Sequence, residues 1–204
     1  QMCIRDRCII GARQIGKTTL IREFGKNEYE HFAELNFVTD QRAADIFNDK
    51  LTAETIITNL TAYLQTPLEP GKTLILFDEV QECPRVRSAI KFLVEDGRFD
   101  YIESVSLLGV RYKDVTSYPV GFEQILPMYP LDFEEYLWAN GIQNHTLQYL
   151  KSCYDKKEKV SETVHETLCK LFYSYLVVGG MPETVQIYVD THDICLLYTS
   201  DAAD

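Results

Sequence analysis

The chain has 204 residues and a mass of 23.6 kDa, enough for one full domain and part of a second. Its 46% hydrophobic and 25% charged residues are typical of a soluble globular protein, and no apolar run approaches the roughly 18 residues of a membrane span. The net charge is −11, of which residues 101–204 carry −8, so we expect neither a membrane partner nor nucleic-acid binding by this fragment.

The two ends, residues 1–7 and 196–204, show no periodicity that continues that of their neighbours. Both resemble translated sequencing-adapter DNA, so we interpret them as non-native and the chain as an internal fragment. The first seven residues also lack the apolar segment of a secretory signal, and the six cysteines form no C-x-x-C pair. We therefore expect a cytoplasmic protein with reduced thiols.

Strand-like and helix-like segments alternate through the first two thirds of the chain, the pattern of a parallel α/β sheet. One helix, over 18–26, is predicted from its start at a glycine-rich loop, and two more, over 56–64 and 84–94, from apolar periodicity. Basic residues on or beside the third helix are more typical of a solvated face than of a DNA-binding patch: Arg85, Arg87, Lys91 and Arg98. The predicted strands are 7–10, 31–38, 73–77, 99–106 and 123–129.

After about residue 131 the pattern changes to helices alone. Short helices are predicted over 132–139 and 146–153, and a longer one, with its apolar stripe over 164–175, ends at Gly179-Gly180. The charged stretch 151–161 is the predicted linker between helices.

Residues 11–18 read GARQIGKT and match the phosphate-loop pattern G-x-x-x-x-G-K-[ST] in full. The glycines let backbone N–H groups and the following helix N-terminus face a polyphosphate. We expect the Lys17 ammonium to reach the β- and γ-phosphates and the Thr18 hydroxyl to bind Mg²⁺. The predicted nucleotide-binding residues are Gly11, Ala12, Arg13, Gln14, Ile15, Gly16, Lys17, Thr18, Thr19 and Ser106.

The string LILFDE at 74–79 is the expected companion of the phosphate loop. Four apolar residues place Asp78 at the carboxyl end of a buried strand, where it can hold Mg²⁺, and Glu79 is predicted to polarise the attacking water. Since successive strand residues point to opposite faces, these two acids are expected to have separable roles. Glu79 and Lys17 are therefore the predicted catalytic residues. No D-x-x-G or N-K-x-D motif indicates a GTPase.

Three further strings accompany the phosphate loop: LILFDEVQECP, SLLGVRYKDVTSYPVGFEQILPMYPLDFEEYL and LVVGGMPETV. The long string over 107–138 and the Gly-Gly-Met-Pro-Glu element at 179–183 are more specific than the phosphate loop itself. With them the chain resembles, over roughly residues 8–193, the prokaryotic AAA-domain ATP-binding proteins whose ATPase core is followed by a C-terminal domain of unknown function. The resemblance implies an α/β P-loop NTPase core of three layers over 8–140, with a mostly parallel five-stranded sheet in strand order 5-1-4-3-2. A truncated helical region would follow at 141–195.

The resemblance also implies ATP and Mg²⁺ as ligands and a polar γ-phosphate sensor at a strand end, where Ser104 or Ser106 stands. A serine there is also a common turn former. Relatives usually have a glycine before the strand-end serine, where this chain has Val105. Many relatives also have an arginine, a candidate for contacting nucleotide, where this chain has Phe122. That role would then fall to Arg111, to a neighbouring subunit or to no residue.

Three functions stay open from the sequence. The leading one is an Mg²⁺-dependent ATPase that drives or switches another activity. The second is a nucleotide-binding regulatory or interaction module with negligible turnover. The third is the ATPase part of a DNA-processing protein, which depends on analogy with the family. A protein partner and an oligomer also stay open.

Overall fold

The computed structural model describes residues 6–106 and 123–194. The chain divides into two compact units, Gln1–Met128 and Tyr129–Asp204. The first unit is an α/β domain with the phosphate loop, and the second is helical.

Five parallel strands form the sheet of the first unit. In chain order they are β1 (Asp6–Gly11), β2 (His31–Asn36), β3 (Thr73–Asp78), β4 (Asp100–Ser106) and β5 (Glu123–Pro127). They lie side by side in the order β2-β3-β4-β1-β5, so the predicted strand order and parallel sheet are confirmed. Because the strands are parallel, the residues that follow β1, β3 and β4 meet at one edge of the sheet.

Helices connect these strands. They are α1 (Lys17–Glu28), α2 (Ala53–Leu64) and α3 (Pro84–Asp96), and all three were predicted from the sequence. Pro84 occupies the first turn of α3, and Gly97 ends that helix with a left-handed backbone, φ 74°. Two short 3-10 helices, Gln41–Phe47 and Val80–Glu82, were not predicted because they are too short to show a periodicity.

Alternate residues of the central strands enter two separate cores, which gives three layers. On one face, Leu74, Leu76 and Ile102 pack with Ile21 of α1. The other face packs against α2, α3 and the first 3-10 helix, and its largest buried side chains include Phe47, Phe77, Tyr101, Ile56, Leu60 and Ile90. The continuous apolar run of β3 is buried at every position, as expected for a strand covered on both faces.

A group of charged side chains is buried between the sheet and α3. The Arg87 guanidinium binds both carboxylate oxygens of Glu123, at 2.8 and 2.9 Å, and lies 3.8 Å from a Glu103 oxygen. Asp6 is also fully buried, and neither of its carboxylate oxygens has a hydrogen-bond partner among the described residues. One expectation was therefore wrong, because Arg87 is not on a solvated basic face. The strand β1 begins at Asp6, one residue before the predicted strand.

Among the described residues of the second unit, 129–194, four helices are found: α4 (Phe133–Ala139), α5 (Asn144–Lys156), α6 (Glu162–Val178) and α7 (Pro182–Thr191). The predicted linker at 151–161 is largely helical, because α5 continues to Lys156 with Cys153 buried and its charged residues on the solvent side. The predicted domain boundary after residue 140 differs from the observed division, since α4 packs on α6 and α7. None of the helices described has the length and apolarity that a membrane crossing requires.

The Gly-Gly-Met-Pro-Glu string forms the corner between α6 and α7. Gly179 ends α6 with φ 75°, and Pro182 begins α7. A side chain at Gly180 would place a Cβ 2.1 Å from the carbonyl oxygen of Leu131. The Leu131 N–H donates to the Gly180 carbonyl at 2.7 Å, and the Tyr175 hydroxyl donates to the Leu131 carbonyl at 2.9 Å. The string therefore closes the helical unit, with Tyr136, Val178 and Val185 at its centre.

Candidate functional site

The phosphate loop joins the end of β1 to the start of α1. Gly16 precedes the helix with φ 89°, a left-handed conformation that glycine adopts without steric cost. Gly11 allows a close approach, because a Cβ there would lie 2.5 Å from the Met128 carbonyl oxygen and 2.4 Å from the Ile15 side chain. The Ile15 side chain is buried, so only its backbone can take the predicted part in nucleotide binding.

The Lys17 side chain folds back along this loop. Its ammonium donates to the carbonyls of Gly11 at 3.2 Å and Ala12 at 2.7 Å, and to the Ser106 hydroxyl at 3.1 Å. Burial lowers the pKa of Lys17, while Glu79 and Asp78 oppose that shift. The buried ammonium therefore lies inside the curve of the loop, with three acceptors that a phosphate oxygen can replace.

Asp78 receives hydrogen bonds from three different elements. The Thr18 hydroxyl lies 3.1 Å from each carboxylate oxygen, and the Asn36 amide donates to Oδ2 at 2.7 Å. The Ser104 hydroxyl donates to Oδ1. The structure thus brings the two predicted metal ligands together although they are separated by sixty residues.

Those two side chains fit Mg²⁺. A threonine hydroxyl and a carboxylate are hard oxygen donors of the kind that Mg²⁺ prefers, and their oxygens are 3.1 Å apart. Mg²⁺ usually keeps several waters and takes only one or two protein oxygens together with substrate phosphates. The first turn of α1, next to the phosphate loop, provides that setting.

Glu79 does not continue the strand. β3 ends at Asp78, and Glu79 has a left-handed backbone with φ 58° and ψ 47°. Its N–H donates to the Ser104 hydroxyl at 3.1 Å, and its carboxylate accepts from the Ser106 hydroxyl at 2.8 Å and from the Gln81 amide. The side chains of Asp78 and Glu79 have different partners because Glu79 leaves the strand with a left-handed backbone. The expected cause, alternation of neighbouring residues along one strand, does not apply, since Glu79 is not part of β3.

The two serines considered as sensors occupy different places. Ser106 lies between Lys17, which donates to its hydroxyl at 3.1 Å, and Glu79, which accepts from it at 2.8 Å. Ser104 instead contacts Asp78 and the Glu79 backbone. Of these two serines, only Ser106 contacts both predicted catalytic side chains, Lys17 and Glu79. Ser106 of β4 lies opposite Gly11 of β1 in the sheet.

A cavity of about 270 Å³ opens beside these groups. It is lined by Arg13, Phe37, Val38, Gln41, Glu79, Gln81, Glu82 and Ser106. Arg13 comes from the phosphate loop, and Glu79 and Ser106 come from the ends of β3 and β4. The predicted base Glu79, the predicted sensor Ser106 and the phosphate-loop cation Arg13 therefore line one cavity.

Two polar residues of the site were missed by the sequence analysis. Asn36 ends β2 in register with Asp78, so its position at a strand end was a usable signal. Gln81 has no such signal, because its contact with Glu79 depends on the left-handed turn. Thr19 is exposed in the first turn of α1. Arg111 and Phe122 lie outside the described residues.

A phosphate loop at the carboxyl edge of a parallel sheet in the order β2-β3-β4-β1-β5, with an Asp-Glu pair after β3, defines a P-loop NTPase fold of the AAA type. A family model for the AAA domain matches residues 7–137. The chain therefore belongs to the AAA domain family.

Among solved structures, the chain is similar to C. elegans PCH-2, with a TM-score of 0.50 and 12% sequence identity. The likeness covers 93% of this chain and 56% of the PCH-2 chain, so the chain spans little more than half the length of that relative. At this identity the likeness supports the fold alone. No curated protein matches the sequence.

Proposed function

We propose that this protein binds ATP with Mg²⁺ and hydrolyses it. The observation that carries the proposal is the position of Glu79, whose carboxylate lies at the carboxyl edge of the sheet and is linked through Ser106 to Lys17. A carboxylate held next to the phosphate-binding lysine is suited to take a proton from a water that attacks the γ-phosphate.

Each side chain would have a definite part in that reaction. Lys17 would exchange its loop carbonyls for phosphate oxygens and, with the loop N–H groups, stabilise charge on the transferring group. Thr18 and Asp78 would hold Mg²⁺, which neutralises phosphate charge when bound. Glu79 would orient the water and accept its proton. Ser106 would act as the γ-phosphate sensor, connected to Glu79 by its hydroxyl hydrogen bond.

The role of the reaction in the cell is a further part of the proposal. Family membership and the predicted ligands favour a protein whose nucleotide state drives or switches another activity. The competing function is a nucleotide-binding module with negligible turnover.

Steady-state phosphate release distinguishes the two functions. The measurement uses the whole chain with ATP and Mg²⁺, and a chelator provides the metal-free control. ATP-dependent and Mg²⁺-dependent release above background is the result expected of an ATPase. Tight ATP binding without release supports the regulatory module, and the absence of both contradicts the proposal.

A further inference from the structure

A closed ring of hydrogen bonds joins the ends of β3 and β4. The Gln81 amide N–H donates to Oε2 of Glu79, and the Gln81 amide oxygen accepts from the Ser106 N–H at 3.3 Å. The Ser106 hydroxyl donates to Oε1 of Glu79 at 2.8 Å and closes the ring. Both carboxylate oxygens of Glu79 are therefore held, each by a different residue.

The turn after β3 brings Gln81 to this position. Glu79 has a left-handed backbone and precedes the 3-10 helix Val80–Glu82, in which the Glu82 N–H donates to the Glu79 carbonyl at 3.0 Å. Val80, between the two polar residues, is fully buried and anchors the turn in the core. The side chains of Glu79 and Gln81 consequently line the same cavity and meet there.

The two donors on Glu79 respond differently to a nucleotide. The Ser106 hydroxyl also accepts from Lys17, and Lys17 must move when it binds phosphates. The hydrogen bonds of the Gln81 side chain, within the described part of the chain, go only to Glu79 and Ser106. The Gln81 contact is thus independent of the phosphate loop and can persist while Lys17 rearranges.

We infer that Gln81 is a positioning residue that holds Glu79 for catalysis, an inference that rests on the proposed ATPase function. A long carboxylate side chain samples several rotamers unless its oxygens are fixed. Each carboxylate oxygen has a second lone pair, so Glu79 keeps acceptor capacity for the proton of water. Gln81 acts through Glu79 and does not itself touch the reacting atoms.

The test is a double-mutant cycle measured under single turnover with ATP and Mg²⁺. It compares the whole wild-type chain with Gln81→Glu, Glu79→Gln and the double variant, and ATP affinity is measured for all four. Gln81→Glu keeps the size of the side chain but replaces the donor with a second carboxylate. Gln124→Glu, which adds the same charge at an exposed position of β5, is the matched control. Gln81→Leu and thermal melting of each variant check that any effect does not come from misfolding.

We expect Gln81→Glu and Gln81→Leu to slow hydrolysis about 10–100-fold while ATP affinity stays within about threefold, because misplacement of a catalytic group affects the reaction more than ground-state binding. In the Glu79→Gln background, Gln81→Glu should have no further effect on the rate of hydrolysis. Wild-type rates for both Gln81 variants, or an equal slowing with and without Glu79, would overturn the inference alone. Absence of hydrolysis in the wild type would overturn the proposed function and this inference together.

Discussion

The Thr18 hydroxyl lies 3.1 Å from both carboxylate oxygens of Asp78. This contact joins the first turn of α1 to the end of β3 and puts two oxygen ligands beside the phosphate loop. Asn36 and Ser104 hold the same carboxylate from β2 and β4. Asp78 is 1% exposed, and these hydrogen bonds fix the orientation of its carboxylate. The site is thus organised around one buried carboxylate that three elements position.

Replacement of Lys17 by alanine should weaken ATP binding by about 10–100-fold. The reason is that hydrogen bonds to charged groups contribute about 1.5–3 kcal/mol, and each 1.4 kcal/mol is a factor of ten in affinity. Titration calorimetry with ATP and Mg²⁺ measures the change. Lys26→Ala is the control, since Lys26 lies in the same helix, exposed, with its ammonium 3.2 Å from Glu23. Equal ATP affinity in wild type and Lys17→Ala would contradict the assignment.

The buried acids between the sheet and α3 should make folding stability depend on pH. Burial raises the pKa of Asp6 from 3.8 to about 9, with Glu103 and Glu123 adding to the shift and Arg87 opposing it. Burial likewise raises the pKa of Glu103 from 4.5 to about 8. Between the ordinary and the raised pKa, each of these acids binds more protons in the folded protein than in the unfolded chain. Their contribution to stability is therefore fully present in acid and is lost as the pH rises through the raised pKa values.

Denaturant unfolding at several pH values between 5 and 8 tests this dependence. Asp6→Asn and Glu103→Gln should each make the stability profile flatter, because each removes one titrating group. Glu95→Gln changes an exposed acid of α3 and should leave the profile as in the wild type. If the profile of the wild type rises or is flat over this range, the buried groups do not titrate as described.

Gly180→Ala should destabilise the helical unit by at least about 1–3 kcal/mol, because the new Cβ would meet the Leu131 carbonyl oxygen. Trp138, the single tryptophan of the chain, lies in α4, so its fluorescence during denaturation reports on this unit. Gly141→Ala separates the steric effect from the backbone effect, since Gly141 has φ 83° but no atom within 4 Å of its added Cβ. Gly180 has no positive φ, so a loss of stability in Gly180→Ala reports the steric contact, and wild-type stability in that variant would contradict the steric explanation.

Much of the α/β domain could be predicted from the sequence, because local patterns determine it. The apolar run of β3 and the stripe of α3 follow directly from burial, and the phosphate loop from its glycines. The pairing of Asp78 with Thr18 was predicted from the phosphate-loop motif and the string LILFDE, and both motifs lie at the carboxyl edge of the parallel sheet.

The remainder depended on geometry that local patterns do not contain. The contact between Gln81 and Glu79 arises from a left-handed residue that is not glycine, and nothing in the string DEVQ indicates that turn. The burial of Arg87 depends on Glu123, which is 36 residues away, so a basic helix face could not be told from a buried ion pair. Charge along 151–161 indicated a linker, but α5 has those charges on its solvent side as far as Lys156.

The most direct test of the account is phosphate release by Glu79→Gln, measured in parallel with ATP binding. Asp78→Ala is the companion variant, and it should lose Mg²⁺-dependent ATP affinity because it removes the carboxylate beside Thr18. Glu79→Gln should bind ATP as the wild type does and hydrolyse it about 10²–10⁴-fold more slowly, since loss of a positioned base affects the chemical step. Hydrolysis by Glu79→Gln at the wild-type rate would contradict the account.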